Sequence, residues 1–320
     1  MLRWRAAPRS LATVGLAAAV TLAASAGAFA STPSPPPPHL PAITSGTVEL
    51  RYEANREYIV QAAQVAKDAG DSERAATLRA MAQGDRRFIT FDGRKDGLAL
   101  EVLGDLSDAE RIAILVPGAD TSIDTFDSKD GLAESAQTLY EGIKSSGLGD
   151  DVSVVAWLGY ATPDTVSLAA LTTGRADDGA RQLRRFITSV RGLNDAEVAL
   201  FCHSYGSVVC GRVAPGSRVS DIVVYGSPGM GIDSSAALET EAHVWAALSA
   251  GDWIGMVPNG SLSVFETTIG FGADPTGPSF GATRLVAGDG GHGDYLVRDS
   301  QLIEDFVFIA SGMRWEVARG

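Results

Sequence analysis

Two cysteines and four histidines are the whole stock of soft metal ligands in this chain. No Cys₄ or Cys₂His₂ zinc site is assembled in pattern from so few, which excludes the structural zinc folds. Lysine is scarce too. Of 26 basic residues only Lys67, Lys95, Lys129 and Lys144 are lysines, a bias we ascribe to codon usage. Positive charge is in deficit, with 39 Asp and Glu giving a formal balance of −13. A surface this acidic repels phosphate backbones and argues against nucleic-acid binding. No Gly-Lys-Ser/Thr phosphate loop occurs, and no internal repeat. What is present is an ordinary globular mixture, 45% hydrophobic and 20% charged over 320 residues, which excludes a disordered chain.

The first thirty residues read as a targeting segment. Arg3, Arg5 and Arg9 form a basic start, Leu11 to Ala24 is apolar, and Ala28-Phe29-Ala30 is a small-x-small cleavage site before Ser31. This is the layout of a secretory signal peptide over residues 1–30, without a twin arginine or a lipid-bearing Cys. The alternative is an uncleaved anchor, but the apolar run is short of the roughly 20 residues a span needs. Cleavage would move the balance from −13 to −16 by removing three arginines. The chain is therefore expected to be secreted or held in the cell envelope, with no stable membrane insertion after cleavage. Residues 31–45 follow as a linker, in which TPSPPPPHLP holds six prolines and predicts an extended polyproline II spacer or stalk.

Residues 46–84 are expected to form a short N-terminal helical segment, with Asp71 or Ser72 capping its second helix. From residue 85 to 320 the pattern changes. Arg87–Asp92 and Leu98–Gly104 are short β-like runs joined by a glycine-bounded turn, a hairpin signal. Arg111–Pro117 is a continuous apolar run, as a buried parallel strand would be. Strands at 152–157, 198–202, 222–225, 244–248 and 283–287 then alternate with helical patterns at 130–146, 178–190 (closed by Gly192), after Ser204, and after Asp299 or Ser300. The alternation predicts one mostly parallel eight-stranded sheet with helices on both faces. Residues 158–177 and 255–281 are longer connections that could rim a pocket, and the helices of 46–83 could cover it.

Chemistry concentrates in Cys202-His203-Ser204-Tyr205-Gly206. An apolar strand runs into Ser204 and then into a helical pattern, the setting of a nucleophile elbow. The tight turn needs small residues two before and two after the serine. Gly206 meets the second requirement, while Cys202 stands where glycine is usual. A nucleophilic serine needs a base, and the base needs an orienting acid, in the chain order Ser, Asp or Glu, His. Of the two later histidines, His243 begins a strand at the wrong end of the sheet. His292 follows the last strand in a glycine-rich loop and is the candidate base. His203, beside the nucleophile, is read as structural. The candidate acid is Asp252, directly after the penultimate strand, with Asp233 and Asp274 as competitors and Asp294 too near His292 in sequence. The oxyanion hole is expected from the Tyr205 and Ala119 N–H groups, with Gly118 letting the backbone approach. Cys202 and Cys210 could pair, since a helix folds back along the strand before it. Two buried free thiols are the alternative.

No cofactor or metal is expected. Gly288-x-Gly290-x-x-Gly293 fits the dinucleotide fingerprint by letter, but only one helix remains after it. Asp120, Asp124, Asp127 and Asp130 lack the alternation of a calcium loop and read as a solvated helix start.

The set VPGADT (116–121), WLGYATP (157–163), CHSYGSVVCG (202–211), YGSPGMG (225–231), GDW (251–253), FGADPTGPSFGA (271–282) and GHGDYL (291–296) resembles an actinobacterial α/β-hydrolase family formerly catalogued as a domain of unknown function. The resemblance spans about residues 85–315. It implies an α/β-hydrolase fold with Ser204 as nucleophile, His292 as base and Asp252 as acid. Relatives are expected to carry Asp where this chain has Ala161. The expected function is a secreted serine hydrolase, a carboxylesterase acting on a small-molecule acyl ester through an acyl-enzyme. The alternatives are an amidase or peptidase using the same residues, or a non-catalytic binding module of the cell envelope.

Overall fold

The computed structural model describes residues 32–165, 173–257, 260–264 and 267–317. The expected signal peptide lies outside the described residues, as do residues 166–172 of one expected rim. Thr32–Gly320 cluster as a single compact unit, so linker, helical segment and sheet are not separate bodies.

Ten strands are described: β1 (Arg87–Asp92), β2 (Leu98–Leu103), β3 (Arg111–Val116), β4 (Val152–Leu158), β5 (Glu197–His203), β6 (Asp221–Tyr225), β7 (His243–Ala247), β8 (Gly260–Val264), β9 (Thr267–Gly272) and β10 (Thr283–Arg284). Eight form one sheet in the order β1-β2-β4-β3-β5-β6-β7-β10. β1 with β2 and β2 with β4 are antiparallel, and the remaining pairs are parallel. The central strands are buried along both faces, which is why Ile112–Val116 and Val152–Leu158 are almost unbroken apolar runs. One face is covered by α4 (Gly174–Asn194) and α5 (Gly206–Val213), the other by α3 (Leu132–Ser146) and α6 (Gln301–Ala310). A short α7 (Arg314–Val317) closes the chain.

Several boundaries differ from the sequence reading. α4 does not stop at Gly192 but runs to Asn194 and ends on Asp195, whose φ is +55°. The Asn194 side chain donates to the Ser107 carbonyl (3.0 Å), a distant contact that extends the helix past its glycine. The expected rim at 255–281 contains the β8–β9 hairpin, whose Ser-Leu-Ser-Val and Thr-Ile-Gly-Phe alternation is a strand signal set among glycines. The final strand is only Thr283–Arg284.

The N-terminal helices α1 (Val48–Asp68) and α2 (Ser72–Met81) do not cover a pocket above the sheet's carboxyl ends. They pack on the β1 edge, burying Ile59, Ala62 and Leu78 with Phe88 and Phe91. Asn55 donates to the Phe88 carbonyl (2.7 Å) and Arg51 to the Ile89 carbonyl (3.1 Å), so α1 caps an edge strand that would otherwise invite pairing. The proline-rich stretch is not a free stalk either. Its residues 33, 36 and 39 are exposed while their neighbours are half-buried, the period of three of a polyproline II helix lying on a surface. Tyr58 donates to the Pro35 carbonyl (2.8 Å), Arg51 to the Pro41 carbonyl, and Thr32 to Asp71. Proline fixes φ in advance, so strapping this segment down costs little entropy.

Candidate active site

β5 delivers its last residue, His203, to the carboxyl end of the sheet, and Ser204 turns the chain directly into α5. Ser204 has φ +51°, a left-handed conformation that a side-chain-bearing residue adopts only where its surroundings enforce it. Its N–H donates to the Tyr225 carbonyl (3.0 Å), tying the turn to β6. Gly206 is required by contact: a Cβ there would lie 2.6 Å from the Val116 carbonyl oxygen and 2.7 Å from that of Pro117. Gly118 is required in the same way, since its Cβ would meet the Ser204 Cβ at 2.6 Å. Cys202 is buried and is joined by a disulfide to Cys210 in α5.

His292 Nε2 lies 2.9 Å from Ser204 Oγ, and its Nδ1 lies 2.9 and 3.0 Å from the two Asp252 carboxylate oxygens. Asp252 is buried at the carboxyl end of β7 and also accepts from the Ile254 N–H (2.9 Å) and the Tyr295 hydroxyl (2.5 Å). Burial, and then the bond to Asp252, push the Tyr295 hydroxyl well above its ordinary pKa, so it remains a donor. The loop of His292 is held against the loop of Asp252. Ser249 Oγ donates to the Gly290 carbonyl (2.5 Å), Ala250 N–H to that of Gly288 (3.0 Å), and a Cβ on Gly251 would meet the Asp289 oxygen at 2.4 Å. Asp233 and Asp274 take no part in this chain of hydrogen bonds, and Asp294 instead accepts from Gly291 N–H (2.8 Å).

His203 has a more definite task than a filler. Its Nε2 is 2.8 Å from the His292 backbone carbonyl, which only accepts, so Nε2 carries the proton. Burial, with the neighbouring His292 as a lesser cause, pulls its pKa down to about 4, which keeps the ring neutral. It stacks on Tyr225 with centroids 5.1 Å apart. His243 begins β7 at the opposite end, bonded to Thr283 (2.8 Å).

The loop after β3, Pro117–Thr121, is clamped to the exit of β4. Tyr160 donates to the Pro117 carbonyl (2.8 Å), Asp120 N–H to the Pro163 carbonyl (3.0 Å), and Thr162 to the Thr121 carbonyl (2.8 Å). Ala119 therefore sits in a clamped loop whose Gly118 abuts Ser204, and Tyr205 heads α5, its hydroxyl accepting from the Ala176 N–H (3.2 Å). A recess of about 200 Å³ opens between this loop, the start of α3 and Gly293–Leu296, and reaches His203. The aspartates near α3 are not simply solvated: Asp124 pairs with Arg74 and Asp127 with Arg86, at 2.6 and 2.7 Å. Those pairs fasten the α3 approach to α2 and β1. Among the described residues no cluster of three or more His, Cys, Asp or Glu could hold a metal ion.

Sequence reasoning did not single out Tyr160, Thr162 or Tyr295, or the hydrogen bond of His203. Each acts through a contact more than 40 residues away in the chain. The only local signal is the three-residue step from His292 to Tyr295 within one turn.

Strand order, the serine on a left-handed turn and the histidine after the last strand define an α/β hydrolase. Residues 92–262 match the model of a family described as alpha/beta hydrolase, and the chain belongs to that family. An uncharacterized protein of Mycobacterium tuberculosis is 28% identical over 253 residues, covering 73% of this chain and 91% of its own. Among solved structures, an α/β serine hydrolase without lid from Xanthomonas campestris aligns with a TM-score of 0.43 at 15% identity, over 73% of this chain and 96% of its own. The structure titled esterase PE8 aligns with a TM-score of 0.44 at 17% identity, over 69% and 99%.

Proposed function

We propose that this hydrolase is a serine carboxylesterase, with Ser204 as nucleophile, His292 as general base and acid, and Asp252 as the orienting carboxylate. The observation that carries the reading is the unbroken chain Ser204 Oγ, His292, Asp252, with both links at 2.9 Å, on a serine held at positive φ. Ser204 Oγ adds to the ester carbonyl carbon while its proton passes to His292 Nε2. The carbonyl oxygen takes up the negative charge within reach of the Ala119 and Tyr205 N–H groups. As the intermediate collapses, the bond to the alcohol oxygen breaks and Nε2 returns its proton there, releasing a neutral alcohol. Water then adds to the acyl-enzyme, giving one proton to Nε2, and the acid leaves as Ser204 regains its proton. Asp252 stays ionised throughout and stabilises the imidazolium.

Residues 1–30 we read as an export signal whose removal leaves a secreted or envelope-associated enzyme. A cleaved amino terminus after Ala30 on extracellular protein checks this, and full-length protein found only in membranes would sink it.

The deciding experiment is labelling with a fluorophosphonate probe, wild type against Ser204→Ala, followed by a panel of matched esters and amides. Labelling of the wild type that disappears in the variant is expected, with turnover of esters. Faster turnover of the amides would favour an amidase built on the same residues. Well-folded wild type that takes no label would identify a non-catalytic binding module.

A further inference from the structure

Of the eight large apolar side chains exposed among the described residues, five fall in the two segments that carry Asp252 and His292. Trp253, Met256 and Val257 follow Asp252, the first two within one 3₁₀ turn, and Val286 and Val297 flank the His292 loop. Met256 is 81% exposed and Trp253 44%, so neither supports the core. The Trp253 ring lies 5.0 Å from the His292 ring. An apolar ring thus stands directly beside the imidazole, Met256 and Val257 follow it in the same turn, and none of the three lines the recess behind Gly118 and Ala119.

The chemistry assigns the two surfaces to the two halves of an ester. His292 Nε2 must reach the alcohol oxygen to protonate it, so the alkyl group on that oxygen extends along the surface around the imidazole. Trp253 lies on that surface, and Met256 and Val257 continue the same exposed turn. The acyl group, its carbonyl oxygen held by Ala119 and Tyr205, is left to the recess. At about 200 Å³ the recess is smaller than the roughly 300 to 1,000 Å³ of common ligand pockets. Its walls include Ser128, Ser135 and Asp130 as well as Leu132 and Leu296, which suits a short acyl group better than a fatty one.

We propose that the 253–257 turn is the alcohol subsite, and that the substrates are esters of a short acyl group with a bulky, apolar alcohol. The assignment rests on the esterase reading above.

Two homologous series test it on the whole enzyme: acetates of ethanol, butanol and octanol, and ethyl esters of acetic, butanoic and decanoic acids. Lengthening the alcohol from ethyl to octyl is expected to raise kcat/KM about tenfold or more, and lengthening the acyl chain to decanoyl to lower it by a similar factor. Met256→Ser, at a site too exposed to threaten folding, is expected to cut the octyl-to-ethyl ratio at least about threefold, and Trp253→Ser more. Val60→Ser, an exposed apolar change on α1, should leave that ratio at the wild-type value. A flat alcohol series, a gain with acyl length instead, or an unchanged ratio in both lip variants would overturn the proposal while Ser204 still takes the fluorophosphonate label. Loss of labelling at Ser204 would take down the esterase reading and this one with it.

Discussion

Ser204 and His292 stand 2.9 Å apart yet are held in unlike ways. The serine is positioned by its immediate neighbours: the end of β5, a positive φ, Gly206 pressed on the β3 carbonyls, and a disulfide between residues eight apart. The histidine is positioned by residues far away in the chain: Asp252 forty residues earlier and His203 eighty-nine earlier, with Ser249 bonding the loop forty-one residues on. A local constraint needs particular residue types at fixed spacing. A long-range constraint needs only that the fold bring two groups together. The Ser204 side of the candidate site is therefore fixed locally, whereas the His292 side is assembled from distant parts of the chain.

The largest expected effect breaks the assembled side at its centre. Asp252→Asn keeps the shape but removes the charge that orients His292, and should lower kcat by about 10⁴-fold, the scale observed when a triad acid is neutralised. A loss below about tenfold would mean that another carboxylate orients the base.

The same contrast explains how much of the molecule was legible in the sequence. The parallel strands read correctly because burial on both faces makes them continuous apolar runs, as in Arg111–Val116. The place of Ser204 on a turn between strand and helix was legible because the three are contiguous in the chain. His292 and Asp252 were reachable by chain order and strand ends alone. Tyr295 and the His203 contact were not, since nothing near either residue announces a partner across the site. The edge around β1 failed for the same reason. Prolines that read as a stalk lie along α1 because Tyr58 and Arg51 meet their carbonyls, and no spacing rule places those donors there.

His203 links the two sides, adjacent to Ser204 in sequence but bonded to the backbone of His292. Its pKa falls from 6.5 to about 4 in the folded protein. Between those values the unfolded chain takes up a proton that the folded chain refuses. The stability associated with the neutral ring is therefore complete above pH 6.5 and declines as the pH falls toward 4, by at most about 3 kcal/mol. His203→Gln, which can donate to the same carbonyl without titrating, should retain most activity and flatten this part of the stability profile. Denaturant titrations at pH 7, 5.5 and 4 measure it. An equal acid loss in the variant would place the sensitivity elsewhere.

The local side can be loosened without touching its chemistry. The disulfide closes a loop across a separation of eight residues, and opening so short a loop costs about 2 to 3 kcal/mol in the chain-entropy account. The double variant Cys202→Ala, Cys210→Ala should lose about that much in unfolding free energy while retaining label uptake at Ser204. Unchanged stability would show that Gly206 and the β3 contacts hold the turn unaided.

The smallest effect is the most discriminating. Tyr295 touches the carboxylate of Asp252, not the serine, and its hydroxyl also accepts from Ser249 N–H (3.2 Å). Tyr295→Phe leaves Asp252 with the Ile254 N–H and His292, so kcat should fall roughly tenfold or less, only part of the worth of a hydrogen bond to a charged group because the two remaining partners still hold the carboxylate. If Tyr295 works by holding that carboxylate, the loss should vanish when Asp252 is already Asn, because the two changes remove one interaction. If it serves only to fill space beside the loop, the two losses multiply. The four proteins of this cycle, compared at one pH, therefore show whether the base side is supported through its acid or merely packed around it.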